Sequence, residues 1–374
     1  MRTELSDSFG VDLALFAFNY QPDVVIEVCK NGGLGVLGAV RFTPAELREA
    51  IAYIEANIGG RPYGVDVVMP AKTLAVAGME VDEMHDMLEK MIPQEHKDFV
   101  EKVLADHDVP PLPADAQQGR DLLSWNDTEA RQQVDIALDR PDVKLIVNAL
   151  GAPPKDVVDE VHQAGKRVAA LVGRKDHALK QVANDVDIIV AQGTEAGGHS
   201  GDVATLVLVP EVVDAVDGRP VLAAGGIGNG RQVAAALALG AQGVWTGSMW
   251  LNTVECDQPE AMQRKFAAAT SSDAVRSRAY TGKPARQLRT AWTEAWDDPT
   301  TPAPLGMPLQ YMLCAEAQDR IRRSGKEELM GTPIGQLVGS FKEARTVAEV
   351  LTTLREEYAR AVASLPQASA PAAV

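Results

Sequence analysis

A closed (β/α)8 barrel is the fold this sequence predicts, and three observations predict it. Eight short apolar runs follow one another between Leu13 and Trp250, helical patterns separate them, and glycine-rich segments close the last two. The runs are 13–18, 33–40, 63–70, 143–150, 167–173, 186–193, 220–227 and 243–250. They lack the apolar–polar alternation of half-exposed strands, so they read as strands buried on both faces of a parallel sheet. Eight successive strand–helix units argue for closure; an open doubly wound sheet is the other arrangement compatible with the pattern.

The helical segments carry their own start and stop signals. Thr43-Pro44-Ala45-Glu46 opens one with a capping hydroxyl, a proline in the first turn and an acid three residues on. Asn126 can cap a helix through Ile136 and Leu138 that must stop before Pro141. Another runs from Asn229 to Gly240 with Val233, Ala236 and Leu237 on one face.

One interval is out of proportion. Residues 71–125, between strands three and four, hold two helical stretches (81–91 and 94–104) and the proline-rich Val109-Pro110-Pro111-Leu112-Pro113. An insertion there leaves the C-terminal end of strand three, the face where barrel enzymes keep their active sites, so a lid is expected. Past Trp250 no strand signal is read, and helical segments are placed at 258–270 and 343–363, before an Ala/Pro/Ser-rich tail. The expected organisation is therefore a barrel of residues 1–70 and 126–256, an insertion at 71–125 and a helical C-terminal region at 257–374.

Composition narrows the function classes. The 374 residues are 46% hydrophobic and 24% charged, which is ordinary globular usage. A formal charge of −16 gives no footprint for nucleic acid or for anionic membranes. Cys29, Cys256 and Cys314 form neither a CxxC pair nor a disulfide framework, which suits a reducing compartment. The acidic start MRTELSDSFGVD does not read as a signal peptide, and no apolar stretch reaches the roughly 18 residues of a membrane span. A cytoplasmic protein without membrane association is expected.

Two glycine loops carry a chemical signal. Gly225-Gly226-Ile227-Gly228-Asn229-Gly230 ends strand seven, and Thr246-Gly247-Ser248 ends strand eight. Bare backbone N–H groups there, with the dipole of the following helix, form the recurrent phosphate cradle of this fold. By contrast, Gly33-Leu34-Gly35-Val36-Leu37-Gly38 matches GxGxxG but lies within a strand that follows a helix. It reads as close packing near the barrel bottom and edge rather than as a dinucleotide loop.

The loop after strand six reads Ala191-Gln192-Gly193-Thr194-Glu195-Ala196-Gly197-Gly198-His199-Ser200-Gly201. Glycines on both sides give His199 room beside a ligand, and imidazole titrates where a weak carbon acid must be deprotonated. The other histidines are weaker candidates. His85, His96 and His107 are eleven apart but Pro93 interrupts their helix, and His162 and His177 fall on outer helices, so no metal site is expected. Neither HExxH nor GxSxG occurs. Glu327-Glu328 and Glu356-Glu357 read as exposed helix faces, and Trp292 with Trp296 as a packing stripe.

These residues resemble the nitronate monooxygenase family, FMN-dependent barrel enzymes, and by its long insert an actinobacterial-type subgroup of it. The resemblance rests on NGGLGVLGA from Asn31, VAQGTEAGGHSG from Val190, LAAGGIGNGRQVAAALALGAQG from Leu222 and TGKPAR from Thr281. It implies that His199 is the catalytic histidine and that Gly225, Gly226, Gly247 and Ser248 hold the FMN phosphate. Ala17 and Phe18 would lie against the flavin ring, and Gln192, Gly193 and Gly198 would line the ribityl and isoalloxazine side. Asp66 stands where family members usually place asparagine, and an ionised carboxylate cannot donate the hydrogen bond an amide can. Strand five, Val168-Ala169-Ala170-Leu171, lacks the lysine that well-known members place near the cofactor, which would stabilise anionic reduced flavin less.

The resemblance implies oxidation of nitronates or nitroalkanes with O2 to a carbonyl compound and nitrite, with no metal. An NAD(P)H-dependent quinone or enoyl/enone reductase on the same fold is the alternative, because fold alone does not select the reaction. A small-molecule substrate is the expected partner, and a homo-oligomer is compatible with the sequence.

Overall fold

The computed structural model describes residues 1–69, 81–113 and 127–365. Each of the eight apolar runs forms a strand: β1 (Leu15–Asn19), β2 (Leu34–Gly38), β3 (Tyr63–Asp66), β4 (Val143–Asn148), β5 (Arg167–Val172) and β6 (Ile188–Gln192) come first. After a two-residue strand outside the ring, β7 (Gly198–His199), the last two are β8 (Val221–Ala224) and β9 (Gly243–Thr246). The eight are parallel and close in chain order, β9 pairing back onto β1 with Leu15 opposite Val244 and Ala17 opposite Thr246. The strands end earlier than predicted because the loops above them, such as 247–250, are as small and apolar as the strands themselves.

The alternation of side chains along each strand makes two cores. Phe16, Val36, Val147, Val190, Leu222 and Trp245 fill the barrel interior, which Leu5 and Phe9 of α1 (Glu4–Phe9) enter at one end. The outward residues meet the helices. These are α2 (Pro22–Lys30), α3 (Pro44–Ile58), α6 (Asp127–Leu138), α7 (Lys155–Gln163), α8 (Lys175–Ala183), α9 (Thr205–Ala215) and α10 (Gly230–Ala238). The predicted start of α3 is a capping box of Thr43 and Glu46, and α10 has one of Asn229 and Gln232. Asn126, the expected cap of α6, lies outside the described residues.

The Gly33–Gly38 motif does pack closely: a β-carbon on Gly35 would lie 2.6 Å from the Val25 carbonyl oxygen of α2. It is not confined to the bottom, however. A β-carbon on Gly38, at the C-terminal end of β2, would lie 2.8 Å from the Tyr20 ring.

Of the expected insertion 71–125, the structure describes 81–113, where α4 (Val81–Lys90) and α5 (Gln94–Asp106) form. Val100, Val103 and Leu104 of α5 share a second core with Phe266 of α11 (Glu260–Ala268) and with Trp292 and Trp296 of α12 (Ala291–Asp297). Cys314 and Ile321 of α13 (Leu309–Ser324) complete it, and Arg320 binds the proline-rich segment through Pro110 O at 3.0 Å. The two tryptophans are a packing pair, fully or nearly buried.

The segment past Trp250 is not free of strands. β10 (Ala274–Ser277) and β11 (Ala285–Leu288) pair antiparallel, and β11 pairs with β7, Ala285 opposite His199. Short strands that carry Arg276 and Arg286 show no apolar signature, so pattern reading passes over them. Glu327 and Glu328 lie in a turn, not on a helix. The last helix, α14 (Val347–Ser364), returns to the barrel, where Val347, Leu351 and Leu354 join the outer core beside α2 and α10. It completes the ring of barrel helices. No helix among the described residues is long and apolar enough to cross a membrane.

Candidate active site

His199 sits above the C-terminal ends of the barrel strands because β6 runs straight into its loop and β11 catches that loop as β7. The half-buried ring has two defined partners. Nδ1 lies 3.2 Å from the Pro284 carbonyl oxygen, and Nε2 lies 3.4 Å from the Thr281 hydroxyl. A carbonyl can only accept, so Nδ1 carries the proton and Nε2 is the acceptor nitrogen, within reach of the Thr281 hydroxyl. Burial lowers the imidazole pKa below its ordinary value, the Pro284 carbonyl opposes that shift, and the nearby Lys283 charge adds to it. The ring is thus neutral at physiological pH, the state a general base requires.

The glycines around His199 answer to the protein itself. A β-carbon on Gly193 would lie 2.1 Å from Thr205 Oγ1, one on Gly197 would lie 2.8 Å from Ile334, and one on Gly201 would lie 2.5 Å from the Gly173 carbonyl oxygen. Gly198 has φ of +75°. Gly193, Gly197 and Gly201 thus serve close packing within the chain, whereas a β-carbon on Gly198 would meet nothing nearer than Pro333 Cβ at 4.0 Å.

Thr205 holds this packing together, and sequence reading missed it. Its Oγ1 lies 2.8 Å from Glu195 Oε2, 3.1 Å from Ala224 O and 3.0 Å from Gly225 O. Its backbone N–H donates to the same Glu195 carboxylate at 3.0 Å, which caps α9 in place of the capless Ala204. Arg286 fastens the loop from the other side, donating to Thr194 O at 2.7 Å and to Ala274 O at 2.5 Å. It is therefore a staple between the loop and the hairpin. The strap Ile334-Gly335-Gln336 crosses above, with Gly335 N donating to Ser248 Oγ at 2.8 Å and Gln336 N to Glu195 O at 3.0 Å. Only the glycines of Gly331-Thr332-Pro333-Ile334-Gly335 could have flagged it.

The two phosphate-loop candidates meet at the same barrel end. Gly225 and Gly226 both have positive φ, +99° and +69°, which turns the chain sharply out of β8. The N–H groups of Gly226 and Ser248 find no acceptor among the described residues. A β-carbon on Gly247 would meet nothing nearer than Phe18 Cδ1 at 3.9 Å, so the space beside that loop is open. One part of the expected cradle is absent. The N-terminus of α10 is capped within the chain: Asn229 Oδ1 accepts from Gln232 N, Gln232 Oε1 from Gly228 N, and Glu357 Oε2 from Gly230 N. The cause is α14, which passes so near that a β-carbon on Gly230 would lie 2.0 Å from Tyr358 N.

The remaining candidates divide by the direction their strands give them. Phe18 and Asp66 face the barrel interior, and Gln192 ends β6 half-buried. Phe18 stacks on Trp245 at 6.1 Å and meets Tyr20 edge-on at 5.1 Å. Ala17 faces outward into the helix layer and is fully buried, so its backbone alone borders the interior. Asp66 is 4% exposed, and its Oδ1 has no hydrogen-bond partner. His85 lies with Asp86 and Glu89 on α4, and neither His96 nor His107 joins them.

The nitronate monooxygenase family model matches residues 17–357. A putative monooxygenase of Mycobacterium tuberculosis is 46% identical over 373 residues, covering 98% of each chain. A probable nitronate monooxygenase of Staphylococcus aureus is 27% identical over 89% of each. Among solved structures, nitroalkane oxidase from Streptomyces ansochromogenes superposes with a TM-score of 0.78 at 25% identity, over 96% of this chain and 100% of its own. FabK from Thermotoga maritima, at 24% identity and a TM-score of 0.72, shares the fold. The chain belongs to the nitronate monooxygenase family, a family of flavin-dependent oxidoreductases.

Proposed function

We propose that the protein is an FMN-dependent oxidase of alkyl nitronates and nitroalkanes, with His199 as the base. The observation that carries this reading is the pair of contacts on the His199 ring: Nδ1 lies where it donates to Pro284 O, which leaves Nε2, 3.4 Å from the Thr281 hydroxyl, as the neutral acceptor.

The residues present fit a flavin mononucleotide. The unpaired N–H groups of Gly226 and Ser248 suit phosphate oxygens, and the open space at Gly247 admits the group without displacing a side chain. Gly225 shapes the turn that presents Gly226. Phe18 and the backbone of Ala17 would border the ring, and Gln192, Gly193 and Gly198 its ribityl side. When bound, FMN would take up the electrons withdrawn from the substrate and pass them to O2, the products being a carbonyl compound and nitrite.

The chain's own part is proton transfer and placement. His199 Nε2 accepts the α-proton of a neutral nitroalkane, and the Pro284 carbonyl steadies the imidazolium that results. A nitronate arrives without that proton and does not require the base. The hairpin of β10 and β11 with the strap at Gly335 screens the site from water. The α4–α5 segment, packed on α13, would serve as the outer cover.

The test is anaerobic mixing of the purified yellow protein with propionate-3-nitronate or with NADH while flavin absorbance is followed. Bleaching by the nitronate is expected; bleaching by NADH alone identifies a quinone or enone reductase instead.

A further inference from the structure

Asp66 is a carboxyl group for which the described residues offer a negative charge little support. It ends β3 between Gly38 of β2 and Val147 of β4, and alternation from Tyr63 and Val65, which face the helices, turns it inward. It forms no ion pair with any described residue, and Oδ1 accepts nothing. Its surroundings can be named element by element. From the end of β1 comes the buried Tyr20 phenol, and from the turn after β2 comes Arg41, whose charge lies over the Tyr20 ring at 4.2 Å. From β4 comes the Asn148 amide, already committed to Met69 N at 2.9 Å and Met69 O at 3.1 Å. The Ala149 N–H beyond it is the one donor to the carboxyl among the described residues.

An ionised carboxylate with a single hydrogen bond in such a place would be costly; a neutral acid is not. Burial pushes the group up to about 8, against the lowering effect of the Ala149 N–H. Building on the flavin reading above, we infer that Asp66 works as a protonated carboxylic acid, its proton donated into the barrel mouth as a hydrogen bond toward the bound cofactor. An acid in this role donates as an amide would, but with a proton that can be lost. Cofactor binding then becomes sensitive to pH in a way an amide cannot reproduce.

The test compares the full-length protein with Asp66→Asn, an isosteric change that keeps a donor but removes the titration. The FMN dissociation constant is measured by fluorescence quenching between about pH 6 and pH 10, across the raised carboxyl value. In the wild type it should weaken by about tenfold for each unit above the carboxyl's own pKa, while Asp66→Asn stays flat. The phosphate's own ionisation is common to both and cancels. Infrared spectra at neutral pH should show a carboxylic-acid C=O band that is absent from Asp66→Asn. Parallel pH curves, or spectra without that band difference, overturn the inference and leave the flavin reading intact. A wild-type protein that binds no FMN at any pH overturns both.

Discussion

Sequence marks Gly193 and Gly247 alike as cofactor glycines, and the structure predicts opposite consequences of adding one methyl group to each. At Gly193 a β-carbon would lie 2.1 Å from Thr205 Oγ1, 2.4 Å from Thr205 N and 2.6 Å from Thr205 Cα. Ordinary contact begins about 1 Å further out, and two of these atoms are backbone, so the first turn of α9 must move as a unit. Moving it strains the Glu195 cap and the contact with Gly225 O as well. Overpacking of this kind costs about 3 kcal/mol, the upper end of its usual range. At Gly247 the nearest atom is Phe18 Cδ1 at 3.9 Å, and φ is −132°, outside the left-handed region. Gly247→Ala should therefore shift stability by no more than about 1 kcal/mol. It fills the open space beside the Ser248 N–H, so FMN affinity should fall at least about tenfold, or 1.4 kcal/mol. The assays are urea unfolding followed by tryptophan fluorescence and FMN titration of the same preparations. A Gly193→Ala protein as stable as wild type would refute the packing argument. A Gly247→Ala protein with unchanged FMN affinity would refute the cradle.

Three other substitutions test the surroundings. His199→Asn should keep FMN and nitronate turnover but lose about 10²- to 10⁴-fold in turnover of neutral nitroalkanes, the usual contribution of a positioned base. Because burial lowers the His199 pKa, the wild-type rate with nitroalkanes should hold below the ordinary histidine midpoint before falling as the ring protonates; a limb above that midpoint would count against it. Arg286→Met leaves Thr194 O and Ala274 O without their donor and should cost about 2–4 kcal/mol in urea unfolding, from two hydrogen bonds of a charged group less the relief of its desolvation. Glu357→Ala removes the acceptor of Gly230 N and should lower stability by about 1 kcal/mol while leaving FMN affinity unchanged; a loss of affinity would mean that α10 itself holds the anion.

The legible part of this molecule is the part built by uniform repetition. Buried parallel strands must be apolar throughout, so Ile188–Gln192 or Val143–Asn148 announces itself, and Thr43 with Glu46 announces the helix that follows. The His199 loop stands out in the sequence because it is dense in glycine, and what crowds Gly193, Gly197 and Gly201 is Thr205, Ile334 and Gly173. The partners that set the His199 tautomer do not stand out. Pro284 and Thr281 lie 85 and 82 residues away in chain order, on a hairpin whose strands carry arginines and show no periodic pattern. Gly335 and Gln336 reach Ser248 and Glu195 through backbone N–H groups, which leave no trace in side-chain chemistry.

That distinction also divides the labour within the site. The atoms suited to a phosphate, at Gly226 and Ser248, belong to loops that leave the barrel strands directly. Every side-chain or carbonyl partner of His199 comes instead from the segment between β9 and α14, the long excursion before the last helix returns to the barrel wall. Changes confined to that excursion can therefore re-aim or re-tune the base while the cradle stays as it is. Conversely, Glu357 and Tyr358 of α14 close off the α10 N-terminus, so a phosphate bound as proposed would be confined to the two glycine loops. A chain of formal charge −16 can hold a phosphate there because backbone N–H groups, rather than net charge, supply the field it meets.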